Sequence, residues 1–207
     1  MALVHQATLT PSKLELLAAW LPTRSWFHDG GELTRLGSYR FDDPAGEVGI
    51  EVMIVQSGQR IFQVPLAYRG APLAGAEMHI LGTMQHSVLG PRWIYDGCGD
   101  PAAVRALITA MVTGASQSDV EMESEGQMVT MHPSVLVRGS GAPGSPVLAI
   151  ESVTCHEKNN VTQSITHTYH LDIVRVIRSA IEAPIILAGS WDDQPTVTLA
   201  GLTPTGE

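Results

Sequence analysis

The sequence predicts an α+β fold: an antiparallel β-sheet with helices packed on one side, with room for two β-rich subdomains. Three observations lead there. Apolar residues alternate with polar ones over short stretches bounded by turn-forming residues, the period of half-buried strands. Only two stretches carry the i, i+3, i+4, i+7 apolar spacing of an amphipathic helix. The strands come in pairs joined by short turns rather than in regular strand–helix–strand units, so neighbours must run antiparallel.

The first helix is expected to open at Thr10 and Pro11, a capping hydroxyl followed by a proline suited to the first helical position. Leu14, Leu17, Ala18 and Leu21 give its stripe and Pro22 stops it. Trp20, Trp26 and Phe27 read as core aromatics around its exit. Residues 47–66 read as a hairpin in which Val48, Ile50, Val52 and Ile54 share one face. Gln56-Ser57-Gly58-Gln59 turns the chain, and Phe62, Val64 and Leu66 alternate on the return strand. Residues 78–88 and 92–95 read as further strands around Leu89-Gly90-Pro91. The second helix opens at Asp100 and Pro101, carries Val104, Leu107, Ile108 and Met111, and ends at Gly114, a C-cap glycine.

Residues 114–126 are polar and acidic and read as a solvated connection. It divides the chain into an N-terminal portion, residues 1–115, and a strand-rich C-terminal portion, residues 116–207, packed together as one unit. In the C-terminal portion, strands are expected over 134–138 and 147–155, around a glycine-rich loop at 139–146. One long strand follows over 161–177, then short strands at 185–188 and 197–200 and a frayed tail after Gly201.

Composition excludes several classes of function. The 207 residues carry 12 basic and 21 acidic side chains, a formal charge of −9, and Lys13 and Lys158 are the only lysines. Such a field repels nucleic acid and anionic membranes. Apolar residues make up 44% and charged residues 16%, a composition that folds. No apolar run approaches the roughly 18 residues of a membrane span. With no secretory-type start, Cys98 and Cys155 read as free thiols and the chain as cytoplasmic.

Several motifs dissolve on inspection. Gly97-Cys98-Gly99-Asp100-Pro101-Ala102 matches a dinucleotide fingerprint, but Asp100 would place a negative charge where the pyrophosphate binds. The 139–146 loop has no lysine to complete a phosphate loop. His156, His167 and His170 do not converge, because His167 and His170 would sit on opposite faces of one strand, so no metal is expected. Glu121, Glu123 and Glu125 read as solvated charge. No cofactor is called for.

The densest group of recognition-type side chains is Tyr68, Arg69, Glu77, His86, Arg92, Trp93, Tyr95 and Asp96. Arginine with aromatics suits binding of a partner or polar ligand. The competing reading is internal, with Arg69 and Arg92 paired to Glu77 or Asp96.

That group lies in the run Val64-Pro-Leu-Ala-Tyr-Arg-Gly-Ala-Pro-Leu73, continued by Leu81-Gly-Thr-Met-Gln-His-Ser-Val-Leu-Gly-Pro-Arg-Trp-Ile-Tyr-Asp96 and Asp100-Pro101. With Trp20-Leu-Pro-Thr-Arg-Ser-Trp-Phe27 and Leu187-Ala-Gly-Ser-Trp191, it resembles the actinobacterial maltokinase N-terminal cap-like family, including its stand-alone members. The resemblance implies a domain without catalytic groups that, in maltokinases, precedes a kinase of the aminoglycoside-phosphotransferase type. This sequence shows no catalytic run of that kinase: His170-Leu171-Asp172 comes nearest, but Ile177 stands where the asparagine belongs. The expectation is therefore a non-catalytic accessory or regulatory module without the kinase lobe. It would bind a protein partner such as a sugar kinase or glucan-pathway enzyme. The alternative is a protein that binds a small sugar or phosphate, and a third reading, ranked last, is an uncharacterised enzyme.

Overall fold

Each apolar stripe needs a surface to cover it, and the computed structural model shows where each finds one. It describes residues 2–4, 7–28, 30–124, 127–131, 133–192 and 194–205. In chain order the elements are β1 (Ala2–Val4), β2 (Leu9–Thr10), α1 (Lys13–Trp20), β3 (Leu33–Phe41), β4 (Val48–Ser57), β5 (Arg60–Arg69), β6 (Ile80–His86), β7 (Gly90–Asp96) and α2 (Pro101–Thr113). They continue with β8 (Val120–Ser124), β9 (Gln127–Met131), β10 (Leu136–Gly139), β11 (Thr154–Lys158), β12 (Val161–Ile165), β13 (Tyr169–Val174), β14 (Ile185–Ser190) and β15 (Val197–Pro204). Two six-stranded antiparallel sheets dominate, in the orders β2-β6-β7-β5-β4-β3 and β10-β14-β15-β13-β12-β11. A three-stranded sheet joins β1, β8 and β9, with β1 parallel to β8.

The β4–β5 hairpin organises the first sheet. Its register sets Val52 opposite Pro65 and Val55 opposite Phe62, around Gly58 at positive φ. Ile50, Val52 and Ile54 therefore face one side, while Met53, Val55, Phe62, Val64 and Leu66 face the other. Both sides are apolar, so both must be covered. Leu16, Leu17, Trp20 and Leu21 of the α1 region, with Trp26, cover the Phe62 side. α2 covers the Val52 side and lies between the two large sheets, where Ala102, Val104, Leu107, Ile108 and Met111 are all buried. The expectation of helices packed on one side is thus corrected. A hairpin with two apolar faces leaves one for each helix.

Other boundaries move for local reasons. α1 starts at Ser12, whose hydroxyl accepts from the Glu15 N–H while the Glu15 carboxylate accepts from the Ser12 N–H, a capping box. Thr10 is taken up by β2, which pairs with β6. Ala18 is consequently exposed, and Leu16 and Trp20 join the buried stripe. The long strand expected over 161–177 is a hairpin. The Thr166 hydroxyl accepts from the N–H groups of Thr168 and Tyr169 and turns β12 into β13. Residues 147–153 are not a strand; β11 begins at Thr154. β3 has no counterpart in the sequence reading, and the tail stays paired to Pro204, opposite Tyr169.

The segment read as a solvated connection is a seam. The Ser118 N–H donates to the Arg40 carbonyl on β3, and the Gln117 side chain accepts from Val137 on β10. Residues 120–124 are strand β8. Glu125 lies outside the described residues.

The two large sheets are also joined directly. The Gln63 N–H donates to the Arg175 carbonyl and the Ile177 N–H to the Ile61 carbonyl. The Arg175 side chain, wholly buried, donates to the Asp96 carboxylate and to Thr162 Oγ1 at 2.7 Å, and its guanidinium stands 4.9 Å from the Trp26 ring centre. Removing one partner of a buried pair strands the other charge. Arg175→Met is expected to lower the unfolding free energy in urea by about 3–5 kcal/mol. Removing the partly exposed Arg24–Glu157 pair (3.4 Å) through Arg24→Met is expected to cost no more than about 1 kcal/mol.

Candidate functional site

On the α1 side of the first sheet, one carboxylate interrupts the apolar surface. Glu51 lies between Ile50 and Val52 in β4, with its side chain 2% exposed. Strand register sets it directly opposite Arg40 on β3 and Leu66 on β5. The first turn of α1 brings Lys13 over the same spot. The Glu51 carboxylate accepts from Lys13 Nζ at 2.5 Å and from the Tyr68 hydroxyl at 2.9 Å. It also pairs with Arg40 at 3.2 Å and Arg35 at 3.9 Å. Burial alone would raise its pKa, but the Arg40 and Lys13 charges and the two hydrogen bonds outweigh burial and hold it at about 2. Burial lowers the Lys13 pKa, with Glu51 offsetting part of the effect. Burial and the Glu51 charge push the Tyr68 hydroxyl well up, so it stays a donor.

Three members of this cluster, Lys13, Arg40 and Tyr68, line a cleft of about 640 Å³. His86 and Arg92 line it from β6 and β7, and Asp42, Asp43 and Glu47 from the β3–β4 connection.

The cleft brings together Tyr68, His86 and Arg92 from the residues singled out in the sequence. The others go elsewhere. Arg69 makes a bidentate bond to Asp100, 2.6 and 2.9 Å, and not to Glu77 or Asp96. Asp96 pairs with Arg175, and the Tyr95 hydroxyl accepts from the Leu73 N–H. Glu77 is exposed and accepts from the Gly75 N–H. Trp93 packs half-buried against the core between the sheets. The expected pairing of Arg92 is also absent: among the described residues it forms no ion pair and donates only to the Pro91 carbonyl.

Lys13, Arg40 and Glu51 were missed. A signal existed for Glu51, a lone charge inside a strand apolar on both faces. Arg40 needed the β3–β4 register, and Lys13 the docking of α1.

The remaining sequence candidates carry structure. Asp100 accepts from the Ala102 and Ala103 N–H groups and caps α2. His170-Leu171-Asp172 lies on β13, where Asp172 accepts from the Gln163 amide. Cys98 and Cys155 are free, and burial pushes both thiols up, Cys155 to about 12. Among the described residues, no three His, Cys, Asp or Glu side chains are grouped to hold a metal, and no helix is long and apolar enough to cross a membrane.

Residues 20–100 match the family model of the maltokinase N-terminal cap domain, in agreement with the resemblance drawn from residues 20–27 and 64–100, while the Leu187–Trp191 part of that resemblance lies outside the match. The matched segment contains β3 to β7, and with them Arg40, Glu51, Tyr68 and Arg92; Lys13 and the second sheet lie outside it. No curated protein matches the chain.

The depressed Glu51 pKa has a direct consequence for acid stability. A carboxylate held below its unfolded pKa stabilises the fold above that value, and the benefit disappears as pH falls from about 4.5 to about 2. The shift corresponds to about 3 kcal/mol. Urea unfolding of the Glu51→Gln variant at a series of pH values is expected to show a shallower acid slope than the unaltered chain across that window.

Proposed function

We propose that the chain is a non-catalytic accessory domain of the cap type that docks on a protein partner acting on sugars or glucans in the cytoplasm. The observation that carries this reading is the match of residues 20–100 to the maltokinase N-terminal cap domain. In maltokinases that cap precedes the phosphotransferase, so a sugar kinase of that type is the first partner to consider.

The side-chain chemistry is consistent with such a role. The buried ionisable groups described above are engaged in holding elements together: Arg175 and Asp96 across the two sheets, Arg69 and Asp100 at the start of α2, Glu51 with Lys13 and Arg40 across β3, β4 and α1. A general base needs a pKa near the working pH, and the Glu51 carboxyl, at about 2, lies far below it.

The test is calorimetric titration of the purified chain into a maltokinase-type sugar kinase from the same genome. ATP turnover with maltose is measured for each protein alone and for the mixture. The expected result is a saturable complex at micromolar or tighter Kd, about −8 kcal/mol, with no turnover by the chain alone. Phosphorylation by the chain alone, or no complex with the sugar kinases and glucan enzymes of its host, would overturn the reading.

A further inference from the structure

Where the two large sheets meet, two nitrogens have no hydrogen-bond partner. They are Trp26 Nε1 and Arg175 Nη1, and among the described residues no other buried side-chain nitrogen or oxygen is left this way. Neither side chain has exposed surface. The two side chains meet, with the guanidinium carbon 4.9 Å from the Trp26 ring centre. Buried N–H groups in folded proteins are almost always paired, to protein or to ordered water, because an unpaired donor has given up its hydration without return.

The neighbouring protein groups do not supply the missing acceptor. Arg175 Nε donates to Thr162 Oγ1 at 2.7 Å, and Nη2 donates to Asp96, whose other oxygen accepts from the Cys98 N–H at 3.2 Å. A guanidinium is flat and rigid, so with Nε and Nη2 fixed, Nη1 cannot turn toward either acceptor. The indole N–H lies in the plane of its own ring, and the arginine stacked on that ring carries donors only. Trp20 and Phe62, with ring centres 6.0 and 6.1 Å away, offer ring faces, which are weak acceptors.

The charges at this junction close in pairs. Arg175 meets Asp96, and Arg24 meets Glu157 at 3.4 Å. Burial pushes the Cys98 and Cys155 thiols up and keeps both neutral. No net charge is left to select an ion, so the acceptor that fits is uncharged. Glu157 stands directly opposite Thr162 in the β11–β12 register, which puts its carboxylate on the guanidinium's side of that strand pair. Its Oε2 is taken by the Ser25 N–H and hydroxyl, whereas Oε1 has only the long contact to Arg24 among the described residues. Burial would raise the Glu157 pKa, but the Ser25 bonds and the Arg24 and Arg175 charges hold it down, and the carboxylate remains an acceptor.

We propose that an internal water molecule is built into this junction. It accepts from the Trp26 Nε1–H and the Arg175 Nη1–H and donates to the Glu157 carboxylate. Three polar partners are the usual complement of a buried water. The site does not depend on whether a protein partner docks.

The test uses the full chain, unaltered. A crystal structure is expected to show a water oxygen roughly 2.7–3.2 Å from both nitrogens. In solution, the Trp26 indole N–H is expected to show a magnetisation-transfer signal to a slowly exchanging water, and Trp26→Phe, which deletes that N–H, identifies the signal. The crystallographic arm needs no variant and stands even where Trp26→Phe fails to fold. A bromide soak separates the two small acceptors: anomalous scattering at the site would mean a halide and would overturn the proposal. A protein acceptor on either nitrogen, the indole N–H resting on the Trp20 ring, or the absence of either the water density or the signal would overturn it as well.

Discussion

A guanidinium with no exposed surface holds the two large sheets together. Taking Arg175 out of water costs several kcal/mol, offset only where its partners are well placed. Asp96 meets it from the end of β7, Thr162 from β12, and the face of Trp26 from the segment after α1. The same residue's backbone takes part in the bonds that stitch β5 to residues 175–177. Side chain and main chain thus join the two sheets here, and α2 packs against both. A helix buried by two sheets must be apolar on nearly every side, as the alanines and aliphatics of Pro101–Thr113 are.

The position of the cleft follows from the same geometry. Because both faces of the β4–β5 hairpin are apolar, α1 is drawn to the face that α2 leaves open. Its first turn then overhangs the one acidic side chain on that face. Glu51 could not remain ionised there alone, and Arg40, the cross-strand neighbour, and Lys13, the overhanging residue, are what register and docking supply. The meeting of Lys13, Arg35 and Arg40 at this point is thus a by-product of stabilising a buried carboxylate from several elements at once.

Local chemistry was legible in the sequence where it acts alone. The α2 caps, Asp100 with Pro101 and Gly114 at φ 66°, depend on neighbours in the chain and stand as read. The β4–β5 pairing was also readable, because alternation and a glycine turn specify it. What long-range contact decides was not. Thr166 reads as an ordinary strand residue until its hydroxyl accepts two N–H groups and turns the chain. The acidic seam at 116–124 looks solvated until its backbone is seen to pair with β3, β10 and β9. β3 alternates in burial only over Leu36–Phe41, where a register shift at Arg35/Gly37 and a glycine at the first buried position hide the period. Tyr68, His86 and Arg92, which the sequence groups among arginines and aromatics, line one cleft. Glu51 and its cations come from three separate elements and converge only in the fold.

The boundary of the family match has a physical meaning of its own. The match ends at Asp100, yet that carboxylate accepts from Arg69 on one side and from the first N–H groups of α2 on the other. Four residues earlier, Asp96 carries the ion pair to the second sheet. Tyr39, Val52 and Ala67 of the matched segment pack in the same hydrophobic cluster as Leu171, Leu187 and Leu202. Cut at residue 100, the segment would lose the helix that Asp100 caps, the counter-ion of Asp96 and the cover of one sheet face together. Helix and second sheet therefore complete the core of the cap-like sheet, and any surface this protein offers to another molecule is held in place by both.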